Sequence, residues 1–179
     1  MKEVEVKIIE IDREMVERKL RSLGGVRIFE GDEETVFFDF PAGSITASKD
    51  LLRLRKIGDK TTLTFKKFVG DDQVKVRDEV EVSVSGFESM RRILESLGLR
   101  AIQRTEKHRT SYSLGTGLRV DFDEYAGELS HIPELMEIEG GDAAAVLASA
   151  KLLGFKPEDC KSWTTSDLID HYSAKKVET

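Results

Sequence analysis

Between Leu51 and Val84 the chain places a charged or hydroxyl-bearing side chain at nearly every second position, and those charges carry both signs. Residues two apart in a strand share a face. Arg53 and Arg55 therefore stand opposite Leu52 and Leu54, and Thr62, Thr64 and Lys66 stand opposite Leu63 and Phe65. In the longest run, Lys75, Arg77, Glu79, Glu81 and Ser83 oppose Val74, Val76, Val80, Val82 and Val84, and only Asp78 breaks the apolar side. Such a face ordinarily lies in water. Helical segments are few here, so an open sheet of about eight strands would expose a broad charged surface and two unpaired edges. Closing the sheet removes the edges and turns the charged face inward, where mixed charges are costly unless something binds among them.

The rest of the chain fits that reading. Residues 2–11 read as an opening strand, with Glu3, Glu5 and Lys7 on one face and Val4, Val6 and Ile8 on the other. Asp12 stands at an N-cap before Met15, Val16, Leu20 and Leu23, and Gly24-Gly25 ends that helix. Val26–Glu30 and Glu33–Phe40 read as two strands, and Ile45–Asp50 as a loop or irregular strand. Gly58-Asp59, Gly70-Asp71-Asp72 and Gly115-Thr116-Gly117 read as turns. Gly86 precedes a second amphipathic helix on Phe87, Met90, Ile93, Leu94 and Leu97, which closes on Gly98. Strands follow over 102–114, 118–125 and 135–139, then a helix on Ala143–Leu153 and a short one over Ser166–Tyr172.

Charge is interleaved by strand. Acid pairs recur as Glu3/Glu5, Glu79/Glu81, Asp121/Asp123 and Glu137/Glu139, and base pairs as Arg53/Arg55 and Lys107/Arg109. With 34 acids and 28 bases, one acid-x-acid-x-base run is within chance; the recurrence is what carries weight. An interior of this kind suits a polyphosphate carried with a divalent metal. Arginine forks match phosphate oxygens, lysines add point charge, and paired carboxylates hold hard cations such as Mg²⁺ or Mn²⁺. Glycine-loop phosphate cradles are absent from the sequence.

Bulk properties exclude other classes. At 179 residues and 39% hydrophobic, the chain reads as one domain. A net charge of −6 argues against general nucleic-acid binding. No run of apolar residues is long enough for a membrane span, and the acidic N-terminus is unlike a signal peptide, so the expectation is a cytoplasmic protein. A single cysteine, Cys160, agrees with a reducing compartment. Asparagine is absent, glutamine occurs only as Gln73 and Gln103, and charged residues reach 35%, a composition that leans towards a thermophilic source. His108, His131 and His171 form no zinc motif, and His108 is read as pointing to the apolar side of its strand.

Glu3-x-Glu5-x-Lys7 resembles the opening motif of the CYTH family, the triphosphate tunnel metalloenzymes, which include class IV adenylyl cyclases, thiamine triphosphatases and inorganic triphosphatases. The resemblance continues through Leu52-Arg53-Leu54-Arg55, Leu63-Thr64-Phe65-Lys66, Arg77-Asp78-Glu79-Val80-Glu81, Lys107-His108-Arg109, Asp123-Glu124-Tyr125, Glu137-Ile138-Glu139, and Lys161 ahead of Trp163 and Asp167-Leu168. It implies an α+β fold, a closed antiparallel eight-stranded β-barrel forming a tunnel with helices packed outside, in one domain over residues 1–179. It further implies Lys7, Arg53, Arg55, Lys66, Arg77, Lys107, Arg109 and Lys161 on phosphates, and Glu3, Glu5, Asp123, Glu137 and Glu139 on Mg²⁺ or Mn²⁺. Glu5, Lys7 and Glu139 are then the catalytic group, and Glu79, Glu81 and Asp121 line the tunnel. Two departures stand out: Lys67-Phe68 follows Lys66 where the family commonly has Gly-Pro, and the stretch between Asp123 and Glu137 is longer than in many members.

The substrate so implied is a triphosphate. Phe37-Phe38-Asp39-x-Pro41 and Glu137-Ile138-Glu139 look more like the class IV adenylyl cyclase branch, which converts ATP to cyclic AMP and pyrophosphate. The alternative is a phosphohydrolase of thiamine triphosphate, nucleoside triphosphate or tripolyphosphate, and a further one is a non-catalytic polyphosphate-binding module. The resemblance leaves room for a homodimer.

Overall fold

The computed structural model describes residues 2–71, 75–115 and 117–177. Among these, eight strands close into one antiparallel barrel. In chain order they are β1 (Lys2–Ile8), β2 (Val26–Asp39), β3 (Leu51–Ile57), β4 (Lys60–Asp71), β5 (Lys75–Val84), β6 (Arg100–Ser113), β7 (Leu118–Tyr125) and β8 (Leu135–Gly140). Around the barrel the order is β1-β5-β4-β3-β2-β6-β7-β8, and β8 pairs back to β1. Helices α1 (Arg13–Ser22), α2 (Ser44–Ala47), α3 (Phe87–Ser96), α4 (Ala143–Leu152) and α5 (Thr165–Val177) lie outside the sheet.

The two faces of each strand go to different places, as the period-2 pattern requires. From β1, Val4, Val6 and Ile8 face outward and join Val120, Phe122, Met136 and Ile138 of β7 and β8. Val16 and Leu20 of α1, with Val146 and Ala150 of α4 and Leu153 just beyond it, cover that patch. Asp12 holds the first turn of α1, accepting from the Met15 amide at 3.0 Å. A second apolar cluster forms where Phe87, Met90 and Leu94 of α3 cover Val36, Phe38, Leu52, Leu54 and Leu63. At the end of β7, Tyr125 and Leu135 pack with Ile132, Trp163, Leu168 and Tyr172, which brings α5 against the barrel. Just before α5, Lys161 forms a two-hydrogen-bond bridge with Lys7, continuing the wall beside β1 where β5 does not reach.

Several sequence expectations change. The two strands read over Val26–Glu30 and Glu33–Phe40 are one, because β6 pairs with β2 from Val26 to Asp39 and carries Gly31-Asp32 within the ladder. The segment read as a loop or irregular strand over Ile45–Asp50 contains the helical turn α2. Its cause is Asp39, whose carboxylate accepts from the Phe40, Ile45 and Thr46 amides at 2.7, 2.9 and 2.9 Å. Gly70 and Asp71 belong to β4, and the remainder of that turn lies outside the described residues, as does Thr116. The terminal helix extends to Val177. Val80 and Val82, expected on a covered face, are exposed because Val84 is the β5 residue that joins the cluster under α3. His108 faces outward and pairs with Asp32 at 2.7 Å, so that side of β6 is polar there.

The covering role of α1 generates a stability prediction. Leu20→Ala removes a fully buried side chain from the first cluster and should cost about 2–5 kcal/mol in urea unfolding. Leu23→Ala, 40% exposed just after α1, should stay within about 0.5 kcal/mol. Equal losses would show that α1 does not seal this core.

Candidate functional site

Every strand brings a charge to the lumen or its rim. Glu3, Glu5 and Lys7 come from β1, Glu33 from β2, Arg53 and Arg55 from β3, Lys66 from β4, Arg77 from β5, Lys107 and Arg109 from β6, Arg119 from β7, and Glu137 and Glu139 from β8. The free space among them is about 80 Å³. It is small because side chains reach across to opposite charges.

Those ion pairs form two groups. In the first, Arg109 donates to Asp123 at 2.6 Å and Glu137 at 2.6 Å and pairs with Asp121 at 2.8 Å. Lys107 donates to Asp123 at 2.7 Å, and Lys7 pairs with both Glu137 and Glu5. Burial alone would raise the Glu137 carboxyl, but Lys7, Arg109 and Lys107 outweigh it and hold the group well below the carboxylate range. In the second group, Lys66 pairs with Glu3 and, at 2.8 Å, with Glu79. Glu5 and Glu139 face each other across β1 and β8, and Arg119 pairs with Glu139 and with Asp121. Burial pushes the Glu3 carboxyl up to about 8; Lys66 opposes this, and repulsion from Glu139 and Glu5 adds to it.

Glu3, Glu5 and Glu139 thus form an acid cluster whose oxygen donors suit a hard cation. As they stand, no three acid, His or Cys side chains among the described residues form a ready ligand set, because each acid is turned towards a base. Asp123 and Glu137, which the resemblance implies on the metal, are engaged by Arg109. Glu79 and Glu81 stand with Glu3 and Glu139 around a wider cavity of about 880 Å³ at one mouth, and Asp121 is buried in the wall. Lys161 is not brought into the lumen; its ammonium donates to the Glu158 carbonyl oxygen at 2.7 Å.

The cationic wall is less occupied. Arg53 Nε and Arg55 Nε are buried without hydrogen-bond partners. Arg55 reaches Glu81 at 3.2 Å and Glu33 at 3.8 Å. Burial, then the neighbouring Arg53, lowers the Arg55 guanidinium below its ordinary value, with Glu33 and Glu81 opposing. Sequence reasoning missed Arg119 and Glu33. Arg119 was within reach, two residues before Asp121 on the same face; Glu33 was hidden at the start of a segment read for its apolar Val36-Phe37-Phe38.

A side cavity of about 360 Å³ opens from the lumen, sharing Phe37, Leu51, Arg77, Thr164 and Thr165 with it. Phe38, Ile45, Leu52 and Ile102 add apolar wall, and Gln103 contributes an amide nitrogen buried without a partner.

Glu33 provides a pH test. Burial would raise its carboxyl, but Lys107, Arg109, Arg55 and Arg53 bring it from 4.5 down to about 2. Its contribution to stability is complete above the unfolded value of 4.5 and is lost as pH falls towards 2. Urea midpoints should drop steeply across that window, and less steeply in Glu33→Gln. Parallel slopes would assign the acid sensitivity to other carboxylates.

The family model described as CYTH domain matches residues 1–159. A protein of Methanocaldococcus jannaschii, provisionally named an adenylate cyclase, is 26% identical over 153 residues, covering 77% of this chain and 87% of that protein. A solved structure from Pyrococcus horikoshii gives a TM-score of 0.78 at 25% identity, over 93% of this chain and 98% of that one. One from Pyrococcus furiosus gives 0.76 at 26% identity, over 93% and 99%. With a family match over most of its length and the closed barrel that the opening motif implied, the chain belongs to the CYTH domain family.

Proposed function

We propose that this chain is a divalent-metal-dependent enzyme that acts on a triphosphate in the lumen, converting ATP to cyclic AMP and pyrophosphate. The observation that carries the reading is the pair of buried, partnerless guanidinium nitrogens on Arg53 and Arg55, facing an acid cluster across a closed lumen. Buried donors of this kind are costly unless a ligand satisfies them. Phosphate oxygens would do so, with Lys66, Lys107, Arg77 and Lys7 adding charge. A module that only bound polyphosphate would gain affinity by losing Glu3, Glu5 and Glu139.

Glu3, Glu5 and Glu139 would hold the metal, with Glu5, Lys7 and Glu139 nearest the chemistry. When bound, the ion would neutralise phosphate charge and align the attacking oxygen. The side cavity favours a nucleotide, since its apolar wall and the free Gln103 amide suit a base, and its opening lies beside Arg77 and Phe37. The ribose 3′-hydroxyl would then attack the α-phosphorus and pyrophosphate would leave. The name given to the Methanocaldococcus jannaschii relative agrees with this reading. In a second reading, water attacks the triphosphate in the same lumen and orthophosphate leaves.

Incubation with ATP, GTP, thiamine triphosphate or tripolyphosphate and Mg²⁺ or Mn²⁺ separates the two. Cyclic AMP from ATP is the expected product; orthophosphate without cyclic nucleotide would establish the hydrolase instead. EDTA should abolish turnover, and full activity in its presence would remove the metal from the mechanism. Arg53→Ala should weaken substrate or transition-state binding by about 2–5 kcal/mol. Its melting temperature should hold or rise, since repulsion of Arg55 is relieved, and collapse of the fold would make Arg53 structural.

A further inference from the structure

We propose that Glu33 limits the phosphate chain to three units by standing as a fixed anion where a fourth would lie; this rests on the lumen being a triphosphate site. The side cavity sets one end of the track. From its shared residue Phe37, the inward residues of β2 run through Thr35 to Glu33, and across the ladder Phe37 pairs with Arg53, Thr35 with Arg55, and Glu33 with Lys107. Four residues at strand rise place Glu33 about 13 Å from Phe37. The intervening length is the stretch bearing Arg53 and Arg55. A nucleotide seated in the side cavity would therefore direct its terminal phosphate towards Glu33.

Glu33 is not placed like a metal ligand. It is only 4% exposed and surrounded by bases, with Lys107 Nζ at 3.7 Å from Oε1 and Arg55 at 3.8 Å from Oε2. Oε1 accepts from Thr35 Oγ1 at 3.2 Å, and Oε2 has no hydrogen-bond partner. The acid cluster that fits a cation stands on β1 and β8, away from β2 in the strand order. Glu33 instead occupies the cations that a longer chain would need. The same change of sign follows β5, where Arg77 beside the side cavity gives way to Glu79 and Glu81. A plain row of cations binds a longer polyanion more tightly; a buried carboxylate at the end of the row reverses that order.

The test is calorimetric binding in EDTA, so that no turnover occurs, of ATP against adenosine 5′-tetraphosphate and of tripolyphosphate against tetrapolyphosphate. In whichever pair binds, the native chain should prefer three phosphates by at least about tenfold. Glu33→Gln should reduce that ratio at least about fivefold, chiefly by strengthening the four-phosphate ligand. Glu33→Asp, which draws the same charge back by one methylene, should fall between, and it carries the comparison if the Gln variant does not fold. Equal binding of the two lengths by the native chain, or a ratio unmoved in both variants, would overturn the role of Glu33 and leave the triphosphate site standing. Failure of every phosphate ligand to bind would remove the site and this inference together.

Discussion

The guanidinium of Arg109 is held by Asp121, Asp123 and Glu137 at once, and the rest of the lumen depends on that arrangement. Arg109, Asp121 and Asp123 are almost wholly removed from water, and taking several charges out of water is unfavourable unless each finds a partner at good geometry. The network ties β6, β7 and β8 together from inside. It does not supply the folding free energy. That comes from the outer faces, where Val4, Val6, Ile8, Phe122 and Ile138 are sealed by α1 and α4. The helices thus support from outside a polar interior that would be unstable on its own, and removal of one partner inside leaves the others buried and uncompensated.

This division gives the two walls different characters. Along β6 to β8 and β1, acids and bases largely satisfy one another, whereas β3 carries guanidinium nitrogens with no partner. A ligand gains most at the second wall, where the Nε atoms of Arg53 and Arg55 have no hydrogen-bond partner. At the first it competes with existing pairs. Arg109, one of the eight residues that the resemblance implies on phosphates, is already engaged by Asp121, Asp123 and Glu137.

Much of the barrel was legible because strand alternation is a direct consequence of backbone geometry. Glu3, Glu5, Lys7, Arg53 and Arg55 fall on the lumen side as spacing requires, and Leu52, Leu54, Val4 and Val6 on the other. What escaped depended on long-range partners. Gly31-Asp32 looks like a break until β6 pairs across it, and Ile45–Asp50 has no period until Asp39 gathers three amides. Lys161 stands in a stretch that resembles the family, but the Glu158 carbonyl of the 3₁₀ turn Pro157–Asp159 captures its ammonium. No local pattern encodes which of several nearby oxygens an ammonium will choose.

The bare outer side of β5 bears on how anything enters. Its ends are anchored, Val76 against the first apolar cluster and Val84 against the second, while Val80 and Val82 between them face solvent. A barrel whose staves are all clamped would resist enlargement of an 80 Å³ bore. Here one stave is clamped only at its tips, and bowing it outward breaks no helix contact along its middle. Outward bowing there would carry Glu79 and Glu81 of the mouth with it.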